Sequence, residues 1–131
     1  NNIYKQINSK IFNFFSTSKE YLENLQIQKY ECGGEYKEHF DASSNLLKKN
    51  QRKYSLIIYL NKDYEGGETY FTRTNIAIKP EIGRLLVFQN CLNHTNYAHP
   101  NSLHKGNRVI KGTKYILNSW LFQNELNIDL I

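Results

Sequence analysis

The sequence predicts a mainly β domain with N-terminal helices, a jelly roll or barrel against which the helices pack from outside. Three observations carry this expectation: one early stretch with helical periodicity, a series of short strand-like segments after it, and Gly/Pro turns dividing those segments. Ile3, Ile7, Ile11, Phe14 and Phe15 recur at helical spacing, so the chain opens with an amphipathic helix carrying all five on one face. Thr17 followed by Glu20 fits a capping box, and Tyr21, Leu22 and Leu25 continue a second short helix ending near Leu25. Helices are thus expected over about 3–25 and the β core over about 26–122.

At Leu25 the period changes to two. Leu25, Ile27 and Lys29 alternate with Gln26, Gln28 and Tyr30 as a strand does, and Gly33-Gly34 turns the chain into a strand over 36–41. Residues 43–53 are polar and read as a loop. Residues 54–60 are apolar on both faces and too few for an average helix, which predicts a central strand. A turn over 63–67 leads to strands over 68–71 and 76–78, and Pro80-Glu81-Ile82-Gly83 reads as a hairpin into a strand over 84–88. A loop over 89–100 precedes strands near Leu103 and Val109, and a long strand over 113–122 comes last.

The length of 131 residues fits a single domain, 1–131. No apolar run reaches the roughly 18 residues of a membrane span, so a soluble protein without a membrane span is expected. No apolar segment with a small-residue cleavage site follows the first residues, so no signal peptide is read and the compartment stays open. Cys32 and Cys91 lack metal or redox spacing and are expected to be half-buried thiols. Seventeen Lys+Arg against twelve Asp+Glu give a net charge of +5. The one basic cluster, residues 48–53, has neither interleaved aromatics nor a Gly-rich cradle, and reads as a solvated loop rather than a nucleic-acid contact.

His39-Phe40-Asp41 is the first chemically informative cluster. On a strand, residues i and i+2 share a face, so an imidazole and a carboxylate can reach one metal while Phe40 turns away. Two histidines and one carboxylate on one side of a metal, leaving positions open, is the donor set of non-haem Fe(II) oxygenases. A third ligand is available from His94, His99 or His104. The first two lie in the Asn-rich loop, whereas His104 is followed by Gly106, Val109 and Gly112 and, ten residues on, by Lys114. Lys114, Ile116, Asn118 and Trp120 share one face of the last strand. A lysine there is either an edge charge that discourages aggregation or a buried cation that needs an anion.

Taken together, several segments resemble the catalytic domain of prolyl 4-hydroxylases, Fe(II)- and 2-oxoglutarate-dependent dioxygenases with a double-stranded β-helix (jelly-roll) core. The segments are Gln28-Lys29-Tyr30; Gly34, Tyr36, His39, Phe40 and Asp41; Tyr59-Leu60-Asn61; and Glu65-Gly66-Gly67-Glu68-Thr69 with Phe71. Pro80 and Gly83 before Leu86 and Phe88 follow, then Ser102-Leu103-His104, Val109, Gly112, Lys114, Asn118 and Trp120. The similarity runs from about 25 to 122 in the family's order and spacing.

The resemblance implies roles by position. His39, Asp41 and His104 would bind Fe(II), and 2-oxoglutarate would chelate the metal through its 2-oxo and C1 carboxylate groups, with O2 as second cosubstrate and ascorbate (vitamin C) maintaining Fe(II). Lys114 would pair with the C5 carboxylate. Tyr59 and Tyr30 match positions whose hydroxyls help hold the cosubstrate, and Thr69 and Trp120 would line its pocket. Lysine at 114 is similar to the collagen- and plant-type branch, which implies a proline-containing peptide or protein substrate. Arg108 departs from the family, which commonly has proline there. The same iron chemistry on lysine, asparagine or a small molecule is the alternative enzyme reading, and a non-catalytic jelly-roll binding module is the alternative from another class.

Overall fold

The computed structural model describes residues 2–125. Helix α1 (Asn2–Phe15) and a 3-10 turn (Lys19–Tyr21) precede ten strands: β1 (Gln26–Tyr30), β2 (Tyr36–His39), β3 (Arg52–Tyr59), β4 (Glu65–Gly66), β5 (Thr69–Phe71), β6 (Ile76–Ile78), β7 (Leu85–Gln89), β8 (His104–Gly106), β9 (Val109–Lys111) and β10 (Lys114–Phe122). A larger antiparallel sheet has the order β1-β10-β3-β7 and a second one β2-β8-β5-β6, with β4 and β9 as a separate pair. The expected mainly β jelly roll with its helix outside is the architecture observed.

The helix covers one face of the larger sheet. Ile11 is buried with Leu22, Leu56 and Leu121, and Ile7, Phe12, Phe15, Tyr54 and Leu85 pack around them. Of the five stripe residues predicted, Ile3 and Phe14 are instead exposed, at 65% and 71%. The helix is rolled so that Phe12 meets the sheet in place of Phe14, which rests edge-on against Phe15 at 4.9 Å between ring centroids.

The second helix shrinks to a single 3-10 turn, and its N-cap is Ser18 rather than Thr17, without a side-chain cap bond. The last strand captures the chain at once. Leu22 bridges Leu121, and the Glu23 N–H donates to the Trp120 carbonyl at 2.9 Å, so no second turn can form. Residues 65–66, predicted as turn, also pair as β4 with β9. The predicted hairpin at 80–83 is a crossover instead, because β6 pairs with β5 while β7 pairs with β3 in the other sheet. Pro80 and Gly83 mark a reversal, but the pairing partner is decided by tertiary packing.

Three smaller corrections concern the loops and thiols. Gln51 is fully buried, its side-chain amide exchanging bonds of 3.0 and 3.2 Å with the backbone of Ser43. Arg52 and Lys53 belong to β3, so the basic cluster is not wholly a solvated loop. Cys32 is exposed and Cys91 buried, both as free thiols. Among the described residues no helix is long and apolar enough to cross a membrane.

Candidate active site

Both sheets contribute side chains to one cavity of about 350 Å³. From the larger sheet come Lys114, Ile116, Asn118 and Trp120 of β10, as the two-residue period predicts, with Gln26, Gln28 and Tyr30 of β1 in register beside them. β10 lies between β1 and β3, so Lys114 is not an edge-strand charge. From the second sheet come His39 and His104, which are directly paired across β2 and β8 with ring centroids 4.3 Å apart.

Asp41 completes the cluster in a way the sequence did not predict. β2 ends at His39, and Asp41 lies in the bend after it, so the H-x-D pair straddles a strand end. Contacts from the larger sheet hold the carboxylate in place: the Ser55 hydroxyl and Trp120 indole N–H donate to Oδ2 at 2.5 and 3.0 Å. That leaves Oδ1 at 3.0 Å from His39 Nε2 and 3.6 Å from His104 Nε2. One ligand atom from each of the three residues lies within 4.8 Å of the others.

The two imidazoles are oriented alike. His39 Nδ1 bonds the Lys37 carbonyl and His104 Nδ1 the Ser102 carbonyl, each at 2.7 Å, which leaves both Nε2 atoms turned toward Asp41. Phe71 and Phe88 wall His104 at ring distances of 5.7 and 4.7 Å. Burial pushes the His104 pKa down, with the Asp41 charge opposing. For His39, burial acts downward but the bonds to Asp41 and Lys37 outweigh it, and the pKa is raised. Burial likewise opposes ionisation of Asp41, yet His39, His104, Ser55 and Trp120 hold its carboxyl well below the usual carboxylate range. A dissociated carboxylate beside two imidazole nitrogens is the donor chemistry that Fe(II) takes up, so the residues fit that metal.

His94 and His99 stay out of the cluster. His94 is exposed at φ +59, and His99 accepts the Asn101 N–H through Nδ1 at 3.1 Å, capping the 3-10 turn Pro100–Ser102.

Lys114 lies elsewhere on the same cavity wall and is 4% exposed. Its ammonium donates to the Gly67 carbonyl at 2.7 Å and sits 5.3 Å from the centroid of the Tyr30 ring. Gly67 has φ +67, and a Cβ there would meet Tyr64, Val109 and Lys114 at 3.1 to 3.3 Å, so glycine permits this approach. Burial pushes the lysine pKa down to about 8, against the opposing charge of Glu68. An ammonium has three donors, and among the described residues Lys114 has no ion pair within bridging distance. An anion in the cavity would complete it.

The remaining predicted positions divide. Thr69, Tyr30 and Trp120 line the cavity, whereas Tyr59 is fully buried behind it with its hydroxyl 2.8 Å from Thr69 Oγ1. The Tyr30 hydroxyl donates to Gln28 at 2.7 Å. Sequence reasoning missed Ser55 and Arg52. Arg52 pairs with Glu23 at 3.2 Å and lies 3.7 Å over the Trp120 ring. The available signal for Ser55 was a lone serine in an apolar strand, which acquires meaning only from its register opposite Trp120.

Comparison with known proteins matches residues 25–122 to the 2OG-Fe(II) oxygenase superfamily, so the chain belongs to that superfamily. Membership implies Fe(II) and 2-oxoglutarate, with O2 as cosubstrate. Among curated relatives, a mimivirus protein named "Putative prolyl 4-hydroxylase" (Acanthamoeba polyphaga mimivirus) is 33% identical over 97% of this chain and 56% of its own length. Prolyl 4-hydroxylase 1 of Arabidopsis thaliana is 30% identical over 92% of this chain and 48% of its own. Among solved structures, the viral collagen prolyl hydroxylase of Paramecium Bursaria Chlorella virus-1 in its 2OG complex superposes with a TM-score of 0.83 at 28% identity, covering 95% of this chain and 75% of that one. The chain spans about half the length of the first curated relatives it matches.

Proposed function

We propose that residues 1–131 act as a single catalytic domain hydroxylating peptidyl proline with Fe(II), 2-oxoglutarate and O2. The observation that carries the reading is one cavity presenting both a His-Asp-His donor set and a buried lysine without a carboxylate partner among the described residues. His39, Asp41 and His104 would hold Fe(II), and Lys114 would hold the far carboxylate of 2-oxoglutarate. Thr69, steadied by Tyr59, and the Tyr30 ring would shape the site between them. Bound there, Fe(II) and 2-oxoglutarate supply oxidative decarboxylation to succinate and CO2, coupled to insertion of one oxygen atom of O2 into a substrate C–H bond.

The chain's own part is orientation and exclusion. The Lys37 and Ser102 carbonyls fix the imidazole tautomers, and Ser55 and Trp120 fix the carboxylate. Phe71 and Phe88 keep water from His104. Ascorbate belongs to the proposal as the reductant that maintains Fe(II). For the substrate, the names of the prolyl hydroxylase relatives support proline, and an extended proline-rich segment costs little entropy to bind. Tyr36 and Phe40 line the cavity and are 50% and 38% exposed, offering such a segment aromatic surface.

A panel of proline-containing peptides incubated with Fe(II), 2-oxoglutarate, O2 and ascorbate tests the reading by fragmentation mass spectrometry. A 16 Da gain on proline with matching succinate is expected. Oxygen found on lysine or asparagine, or turnover only with a small molecule, removes the prolyl assignment and keeps the iron chemistry. Absence of both metal uptake and succinate leaves the binding-module reading.

A further inference from the structure

We propose that Ser55 and Asn90 are positioning residues for the metal carboxylate, and that the segment 90–104 ties Asp41 to His104 through a hydrogen-bond circuit. This rests on the reading of His39, Asp41 and His104 as metal ligands. The circuit begins where the Ser55 hydroxyl donates to Asp41 Oδ2 at 2.5 Å and the Asn90 side-chain amide donates to the Ser55 oxygen at 2.8 Å. It continues through the backbone, as the His99 N–H donates to the Asn90 carbonyl at 2.8 Å. The Ser102 hydroxyl and N–H both donate to the His99 carbonyl, at 2.7 and 2.9 Å. It ends where His104 Nδ1 bonds the Ser102 carbonyl at 2.7 Å, with His104 Nε2 3.6 Å from Asp41 Oδ1, beyond hydrogen-bond distance.

Proton bookkeeping fixes the direction of the first two bonds. An ionised carboxylate only accepts, so the one hydroxyl proton of Ser55 goes to Asp41, and the serine oxygen must then accept from its other neighbour. Asn90 therefore presents its NH2 group. Its Oδ1 has no hydrogen-bond partner among the described residues. Asn90, Ser55 and Ser102 are 0%, 1% and 2% exposed, so all three are shielded from bulk solvent. The need is local. Asp41 lies beyond the end of β2, where no ladder bond restrains it, while His39 and His104 are fixed by strand pairing.

The test measures Mn(II) binding to the full chain without 2-oxoglutarate, counting free Mn(II) by its paramagnetic resonance signal. Ser55→Ala is expected to weaken binding about tenfold to a hundredfold, the range seen when partners of metal ligands are removed. Asn90→Ala is expected to weaken it about threefold to tenfold, as the loss of one hydrogen bond acting through another does. Because Asn90 acts through Ser55, the double variant should bind no more weakly than Ser55→Ala alone, and Ser55→Thr should restore binding. Losses that add, or an Asn90→Ala variant that binds as wild type does, overturn the proposal. Should Asn90→Ala not fold, Asn90→Leu keeps the size while removing the donor, and unchanged Mn(II) affinity there overturns it equally. If Asp41→Ala also binds like wild type, the ligand assignment itself has failed. Binding lost in Asp41→Ala but intact in Asn90→Ala removes the relay alone.

Discussion

Lys114 shows how one residue's environment sets a measurable pH dependence. Its pKa is pushed from 10.5 to about 8 by burial, so between those values the folded chain binds fewer protons than the unfolded one. Stability of the ligand-free protein should therefore rise with pH from about 8 to 10.5 on account of this group, as linkage requires. Affinity for 2-oxoglutarate should move the other way. On the proposed reading the protonated ammonium is the binding form, so binding should weaken as pH rises through about 8, a trend that calorimetry at several pH values would reveal. Lys114→Ala should cost about tenfold to a hundredfold in 2-oxoglutarate affinity, since a hydrogen bond to a charged group is worth about 1.5–3 kcal/mol, and should flatten that pH dependence. Lys114→Arg should rescue poorly, because its planar fork is longer and differently aimed. An unchanged affinity in Lys114→Ala would remove the residue from the site.

At the scale of elements, helix and site occupy separate parts of the larger sheet's surroundings. Ile11 packs on Leu22, Leu56 and Leu121, whereas Lys114, Asn118 and Trp120 of the same sheet face the cavity. Ile11→Ala should cost about 2–5 kcal/mol of stability, as truncations in packed cores do, while leaving Mn(II) and 2-oxoglutarate affinities as they are below its melting transition. A melting curve and a titration on one sample check both halves. The face of β10 was legible because a strand's period is two and four alternate residues include a lysine, an amide and the one tryptophan. The His39 and Asp41 pair was legible because H-x-D is a short-range signal, whereas His104 was one of three candidate histidines and was singled out by its context and the family resemblance. The destination of β7 was not, since Pro80 and Gly83 specify a reversal and leave the choice of sheet to contacts made elsewhere. Nor were Ser55 and Asn90 legible, being 35 residues apart and joined only by folding.

For the molecule as a whole, the proposed site draws on both sheets. The second sheet presents both histidines, and the larger sheet presents Lys114 and steadies the Asp41 carboxylate. The sequence-level expectation of a jelly roll matched because strand number, spacing and turn residues agree with one another, and local misreadings such as the second helix did not alter the class. If the two sheets together bind one small dicarboxylate, its affinity must depend on the metal and on the lysine together. The direct measurement is titration calorimetry of 2-oxoglutarate into protein with and without Mn(II), repeated for Lys114→Ala, His104→Ala and His94→Ala. The account predicts binding that is strong only with Mn(II), weakened about tenfold or more by Lys114→Ala, reduced by His104→Ala to the level without metal, and unaffected by His94→Ala. Equal affinity with and without metal, or loss in His94→Ala but not in His104→Ala, would contradict it.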